Sequence, residues 1–248
     1  MENYRGLAGV YDYLVAGVDF EGWADYIEEI LKRFKLCPGS VLDLACGTGN
    51  TLLPMAIRGY EAKGMDLSSE MIERARSKAK SFSVSAQFFV GDMRDFLLES
   101  PVDLVTCFHD GMNYITEPCD LKRIFENTGR NLSSNGVFIF DLNTLNWIEK
   151  SDRHPVVINE EEITIIYTTD YEPQSLLWIV DLTCFVKEGE KYQKFSETHC
   201  EKGYETQEVL EMLTASGFTI LSVYDAFTFE PPRKESRRHF YSAQKKDE

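Results

Sequence analysis

The sequence predicts a doubly wound α/β domain: a mostly parallel, seven-stranded sheet covered by helices, with an antiparallel β insertion. Three observations carry that expectation. From Ser40 to Asp141 short apolar runs alternate with amphipathic stretches, the pattern of a parallel sheet buried on both faces. Past Asp141 the chain turns to segments rich in β-branched and aromatic residues separated by turns, as in an antiparallel sheet. A helical stretch and two further strand-like runs then return the chain to the first pattern.

The elements follow in order. Residues 23–34 place Trp23, Tyr26, Ile27, Ile30, Leu31 and Phe34 at helical spacing, which predicts an amphipathic helix ahead of the sheet. Strands are expected over 41–45, 61–66, 86–90, 102–108 and 137–141, with helices after Asn50, after Ser69 and over 120–132. Crossovers of this length favour a doubly wound sheet. The insertion is read as strands over 162–171, 175–187 and 191–200, with turns at Glu172-Pro173 and Glu188-Gly189-Glu190. A helix over 206–216, capped by Gly217, and strands over 218–227 and 238–243 complete the sheet. The expected division is an N-terminal lid and helix (1–36), a cofactor-binding domain (37–145 and 201–248) and the antiparallel insertion (146–200) as a substrate or lid subdomain.

Composition narrows the function. A chain of 248 residues can bury an ordinary core without staples. Its formal charge of −15 repels phosphate backbones and anionic membranes, so neither nucleic acid nor membrane is the expected partner. Arg233, Lys234, Arg237, Arg238, Lys245 and Lys246 leave room for a local basic patch, although such charges are usually just solvated. The six cysteines form no C-x-x-C and no zinc spacing, so they read as reduced thiols and no metal is expected. No run approaches the ~18 apolar residues that span a bilayer, and residues 1–10 lack a leader pattern. The expectation is a cytoplasmic monomer or homodimer.

The sharpest local signal is Val41-Leu42-Asp43-Leu44-Ala45-Cys46-Gly47-Thr48-Gly49-Asn50, a buried strand running into a turn whose glycines permit close approach of a ligand to backbone. A tight turn alone would also use glycine. A dinucleotide fingerprint wants a small residue at position 52 for packing around a pyrophosphate, and Leu52 stands there. Asp43 points the same way: it would repel phosphates and suits a ligand with an ammonium group and a sulfonium. Strand two ends in Gly64-Met65-Asp66-Leu67-Ser68, placing Asp66 19 positions after Gly47, where its carboxylate can accept from both ribose hydroxyls. The rival role for Asp66 is helix capping, which Ser68 or Ser69 can already supply. After strand three, Asp92 can accept from an exocyclic adenine amine while Met93 covers the ring. These turns lie at the carboxyl edge of the strands, where open α/β sheets collect ligands.

The ordered set DLACGTGN, GMDLS, GDMRDF, VDLVTCFHDGMNYI and LSSNGVFIFDLNT resembles the motifs of class I S-adenosylmethionine-dependent methyltransferases, which have a Rossmann-like fold. Val10-Tyr11-Asp12-Tyr13-Leu14 with Trp23, the β-rich insertion, and Glu197-Thr198-His199 before Tyr204 resemble, more loosely, small-molecule enzymes of the glycine and sugar-amine N-methyltransferase type. The resemblance implies S-adenosyl-L-methionine as cofactor. It places the methionine end on Asp43 and the Ala45, Cys46, Gly47 and Gly49 backbone, the ribose on Asp66, and the adenine on Asp92 and Met93, with Leu67, Met71 and Phe108 also in the cofactor site. By the same likeness Tyr11 and Trp23 approach the cofactor from an N-terminal lid, with core packing an equal rival for Trp23. The chain lacks the Asp or Asn followed by Pro-Pro of amino-methylating nucleic-acid enzymes, reading Phe108-His109-Asp110-Gly111 instead.

The expected activity is therefore methyl transfer to nitrogen or oxygen of a small-molecule acceptor. His109, Asp110 and Asn113 follow strand four on the same rim, where a neutral imidazole suits proton removal, and Tyr11 joins His109 and Asn113 as candidate catalytic groups. His109 could equally cap a loop and Asn113 satisfy turn backbone. Phe108 and Tyr114 could line a pocket or belong to the core. Glu197 and His199 share one strand face that could look into the cleft or out to solvent. The alternative from another class is a non-catalytic S-adenosylmethionine-binding sensor or protein-interaction module.

Overall fold

A computed structural model describes residues 6–151 and 153–246. Five parallel strands follow the apolar runs: β1 (Ser40–Leu44), β2 (Glu61–Asp66), β3 (Ala86–Val90), β4 (Val102–Cys107) and β5 (Leu132–Asn143). Within the described residues a second sheet then forms from β6 (Val156–Asn159), β7 (Ile163–Glu172), β8 (Leu177–Glu188) and β9 (Lys191–Lys202), all antiparallel. Strands β10 (Phe218–Asp225) and β11 (Arg238–Lys245) return to the first sheet, whose order is β10-β11-β5-β4-β1-β2-β3. β11 runs antiparallel to both of its neighbours. The sheet is thus the seven-stranded, mostly parallel one that the sequence predicts.

The helices are α1 (Tyr11–Leu14), α2 (Phe20–Arg33), α3 (Leu52–Ile57), α4 (Ser69–Ser81), α5 (Pro118–Asn131), α6 (Leu145–Lys150) and α7 (Thr206–Ala215), with a single 3-10 turn at Leu7–Gly9. Two apolar layers result. On one face Ile27 and Ile30 of α2, Leu52 of α3 and Ile72 of α4 pack on Val41 and Leu104; on the other, Leu121 and Phe125 of α5 and Val209 and Leu213 of α7 pack on Leu42, Leu44 and Phe138. Close approach between α3 and β2 depends on Gly64, where an added Cβ would lie 2.9 Å from Leu52 and 2.8 Å from Phe88. Ser68 caps α4 by accepting from Met71 N at 3.2 Å, and Gly217 at φ +86° ends the turn after α7. Among the described residues no helix is long and apolar enough to cross a membrane.

The departures have local causes. β5 begins at Leu132, earlier than the apolar run, because Leu132 pairs with Val102 before a register shift takes up the turn-like Ser133 to Gly136. β6 and α6 carry too few residues for a period to show. The N-terminal segment has no autonomous core: Leu7 and Val10 bury themselves against Ile163, Ile165, Leu182 and Cys184 of the second sheet. Along β9, Glu197, His199 and Glu201 share the inward face, and Glu197 Oε1 accepts from the Gly6 and Leu7 amides at 2.9 Å each. Of the two placements for that face, cleft or solvent, the structure has the inward one.

Candidate active site

Chain order reverses on either side of β1, so a crevice opens at the carboxyl ends of β1 and β4. The turn after β1 carries Ala45, Gly47 and Gly49 at φ of +52°, +53° and +82°. Gly47 N donates to Asp66 Oδ2 at 2.8 Å, and Ser68 N donates to Asp66 Oδ1 at 2.8 Å. Gly91 N donates to the Asp66 carbonyl at 2.9 Å, so the turns after β1, β2 and β3 adjoin directly. Because Ser68 supplies the helix cap, the Asp66 carboxylate is left to orient toward the crevice, each oxygen retaining a lone pair beyond its backbone bond. Burial pushes its carboxyl up from the ordinary value against the pull of the Ser68 and Gly47 amides.

Asp43 is 1% exposed, and its oxygens take the hydroxyls of Thr51 (2.6 Å) and Thr106 (2.7 Å). It therefore acts from behind the glycine turn as a fixed negative charge and presents no open oxygen to a ligand. Burial, opposed by the two threonines, raises its carboxyl to about 6. Asp92 binds the guanidinium of Arg94 at 2.6 Å, and that bond first of all holds its carboxyl below the usual range. A ligand amine would share Asp92 with Arg94. Met93 is half-buried on the lower core layer, Met71 is buried at the start of α4, and Leu67 stands exposed at the rim. The buried Cys46 turns its thiol to the Gly47 carbonyl.

The N-terminal segment closes over this turn. Asp12 accepts from Thr48 (2.8 Å), Asn50 (3.0 Å) and Lys78 (2.9 Å), tying α1 to the glycine turn and α4. The Tyr11 ring lies 3.9 Å from where a Cβ on Gly47 would stand, and its hydroxyl is 3.4 Å from His109 Nδ1. Burial, with Asp110 next, keeps the Tyr11 phenol protonated by raising it above its ordinary value. His109 and Asp110 occupy successive left-handed positions (φ +59° and +76°), a conformation non-glycine residues hold only where surroundings impose it. Asp141 supplies part of that constraint, accepting from His109 N at 2.8 Å, while Arg238 bridges Asp110 and Asp141. Burial lowers the His109 imidazole despite the opposing charge of Asp110.

Three expected site residues adjoin the turn but are engaged in packing or in backbone bonds. Asn113 is fully buried: its Oδ1 accepts from Asn143 N at 3.0 Å and its Nδ2 donates to Lys202 O at 2.9 Å, so its amide is engaged in joining β5 to β9. Trp23 packs edge-on against Phe108 (5.7 Å) and Phe227 (5.0 Å), beside Phe240 (5.5 Å) and His109 (5.7 Å), with Arg238 5.6 Å above its ring, so it joins the core to the His109 turn. Phe108 belongs to the same aromatic cluster, stacked on Phe240. Conversely, Arg238, Asp141, Asn143 and Glu201 enter the site unforeseen. The alternation Glu197, His199, Glu201 along β9 was the available signal for Glu201; Arg238 had been read among surface charges.

The crevice fits S-adenosylmethionine. Gly47 leaves open the space a side chain would fill, Asp66 is held by backbone with acceptor capacity to spare, and Asp43 places negative charge behind the turn. A methyltransferase domain model matches residues 41–136. YqeM of Bacillus subtilis, which bears a methyltransferase name, is 34% identical over 98% of this chain and 97% of its own length. This chain belongs to the S-adenosylmethionine-dependent methyltransferases. A solved S-adenosylmethionine-dependent methyltransferase from Clostridium acetobutylicum superposes on it with a TM-score of 0.87 at 29% identity, covering 98% of this chain and 99% of that one. Over a shorter stretch, the dTDP-4-amino-2,3,4,6-tetradeoxy-D-glucose N,N-dimethyltransferase of Saccharopolyspora spinosa is 29% identical across 136 residues, 54% of this methyltransferase and 53% of that enzyme. Within the methyltransferase, residues 41–136 carry the glycine turn, Asp66, Asp92, His109 and Asp110, whereas Tyr11, Asp141, Glu201 and Arg238 come from outside them.

Proposed function

We propose that this methyltransferase acts on nitrogen or oxygen of a small-molecule acceptor seated between Tyr11, His109 and the second sheet. One observation carries the reading: the strained His109-Asp110 turn, facing the Tyr11 hydroxyl, is roofed by an N-terminal segment that β9 itself holds through Glu197. Such a roof closes the rim over Tyr11 and His109 and favours a small acceptor. The amino-sugar relative named above supports the same size class.

When bound, S-adenosylmethionine supplies a methyl carbon activated by its sulfonium. The chain's own task is to align the acceptor, exclude water and manage a proton. With Nδ1–H of His109 donating to the Tyr11 oxygen, Nε2 is available to accept a hydrogen bond from the acceptor and orient it, and burial keeps that imidazole neutral for the purpose. Arg238 and Asp141 hold the turn that aims the ring. Residues 1–36 serve as lid, residues 146–200 as acceptor wall, and Asp66 and Asp92 grip ribose and adenine.

The test is methyl-transfer assay against a panel of small amines and hydroxyl compounds beside total RNA and a protein mixture. Turnover of a small acceptor is expected, falling by about 100-fold in His109→Ala, the scale of a misaligned reactant, with S-adenosylhomocysteine affinity unchanged. Turnover confined to RNA or protein would overturn the reading.

A further inference from the structure

The reading above leaves the acceptor's chemical class open, and one buried acid bears on it. Glu201 lies on the inward face of β9, is 4% exposed, and its Oε2 has no hydrogen-bond partner among the described residues. Its position is fixed from both sides in sequence: Lys202 N donates to Asn113 O at 2.7 Å and Lys202 O accepts from Asn113 Nδ2, while His199, one inward position earlier, meets Tyr114 edge-on. Asn143, whose Nδ2 donates to Asp110 at 2.7 Å, is beside it, and the Oδ1 of Asn143 is likewise buried without a donor.

Charge and hydrogen-bonding capacity then point one way. Arg238 pairs with Asp110 and Asp141, Glu201 lies near enough to Asp110 and Tyr11 for charge to act between them, and Arg237, stacked on Trp147, adds a second positive charge felt by Asp110 and His109. Glu201 Oε2 and Asn143 Oδ1 are two buried oxygens without donors among the described residues. An ammonium brings up to three N–H donors and one positive charge; a hydroxyl brings one donor and no charge, and a phosphate or carboxylate brings neither. An anionic group would give neither buried oxygen a donor and would add negative charge beside Asp110 and Asp141.

We propose that Glu201, with Asn143 and Asp110, is the recognition site for the acceptor's amino group, that the acceptor is a primary or secondary amine, and that Glu201 receives its proton. This rests on small-molecule methyl transfer at the same crevice. Without an amine beside it, burial and then Asp110 favour the protonated Glu201 carboxyl. An arriving ammonium replaces that proton, which leaves for solvent, and pairs with the carboxylate. One N–H proton then moves to Oε2 while its electron pair stays on nitrogen. Nitrogen bonds the methyl carbon as the carbon–sulfur bond breaks with its pair on sulfur. The product leaves as the N-methylated ammonium, and the proton on Glu201 balances the account of charge.

The experiment is calorimetry on the full chain loaded with S-adenosylhomocysteine, in buffers of different ionisation heat. Probes are a panel of alkylamines and amino sugars, each beside its hydroxyl counterpart, such as glucosamine beside glucose and benzylamine beside benzyl alcohol. Expected is an amine bound at least about tenfold more tightly than its counterpart, the scale of a charge-assisted bond, with proton release near neutral pH. Glu201→Gln abolishes both the preference and the release, with S-adenosylhomocysteine affinity preserved as the check on folding. Equal binding of amines and hydroxyl counterparts, no amine binding at all, or an unchanged preference in Glu201→Gln overturns the proposal. Methylation of the hydroxyl counterparts in that same outcome would leave small-molecule methyl transfer standing and remove only the amine assignment.

Discussion

Asp43 should lower the stability of the fold it sits in. Its carboxyl is 1% exposed and lies at about 6, against 3.8 for the unperturbed group. An acid raised on folding is protonated longer in the native state than in the unfolded chain. Stability from this source is therefore full below about pH 4 and is lost as pH rises through about 6. A shift of this size corresponds to about 3 kcal/mol at pH 8, of which roughly half is already lost at pH 5. Asparagine keeps the shape, can accept from one threonine and donate to the other, and has no charge to desolvate. Urea denaturation of Asp43→Asn and the parent at pH 5 and pH 8 should show the variant's relative stability rising by about 1.5 kcal/mol between the two. Its affinity for S-adenosylmethionine at pH 8 should fall, since the negative charge behind the glycine turn is gone. A stability difference independent of pH would refute the reasoning.

Three further changes separate scaffold from site. Arg238→Met leaves Asp110 and the fully buried Asp141 without their shared cation, and should cost about 3–5 kcal/mol in a urea denaturation. Asn113→Ala strands the amide of Asn143 and the carbonyl of Lys202; a loss of about 1–3 kcal/mol in thermal or urea unfolding is expected, with S-adenosylhomocysteine affinity unaltered. Glu197→Ala frees the Gly6 and Leu7 amides, so their hydrogen exchange should accelerate while amides of β1 and β4 keep their protection.

How much could be read from the sequence depended on how local the cause was. Apolar runs and helical spacing located the strands of both sheets except the four-residue β6, because burial on one or two faces writes a period into the chain. The glycine turn and the place of Asp66 were legible because a strand, a turn and the next strand's tip recur at short range, whereas the choice between Ser68 and Ser69 as the cap needed the bond from Met71 N to Ser68. Trp23 and Asn113 were ambiguous for the opposite reason. An aromatic on an amphipathic helix serves core and ligand alike, and only the arrival of Phe227 and Phe240 from the far end of the chain puts Trp23 in the core. Asn113 looked like a site residue from its neighbours, yet its partners come from β5 and β9. Arg238 was hidden in a basic stretch until β11 paired with β5 and set it opposite Asn143.

Titration of S-adenosylhomocysteine into the parent and Asp66→Ala bears most directly on the crevice as a cofactor cradle. Binding by the parent, weakened by at least about 1.5 kcal/mol in the variant, is the expected result for a carboxylate that accepts from the ribose. Equal affinity in the two proteins would contradict it.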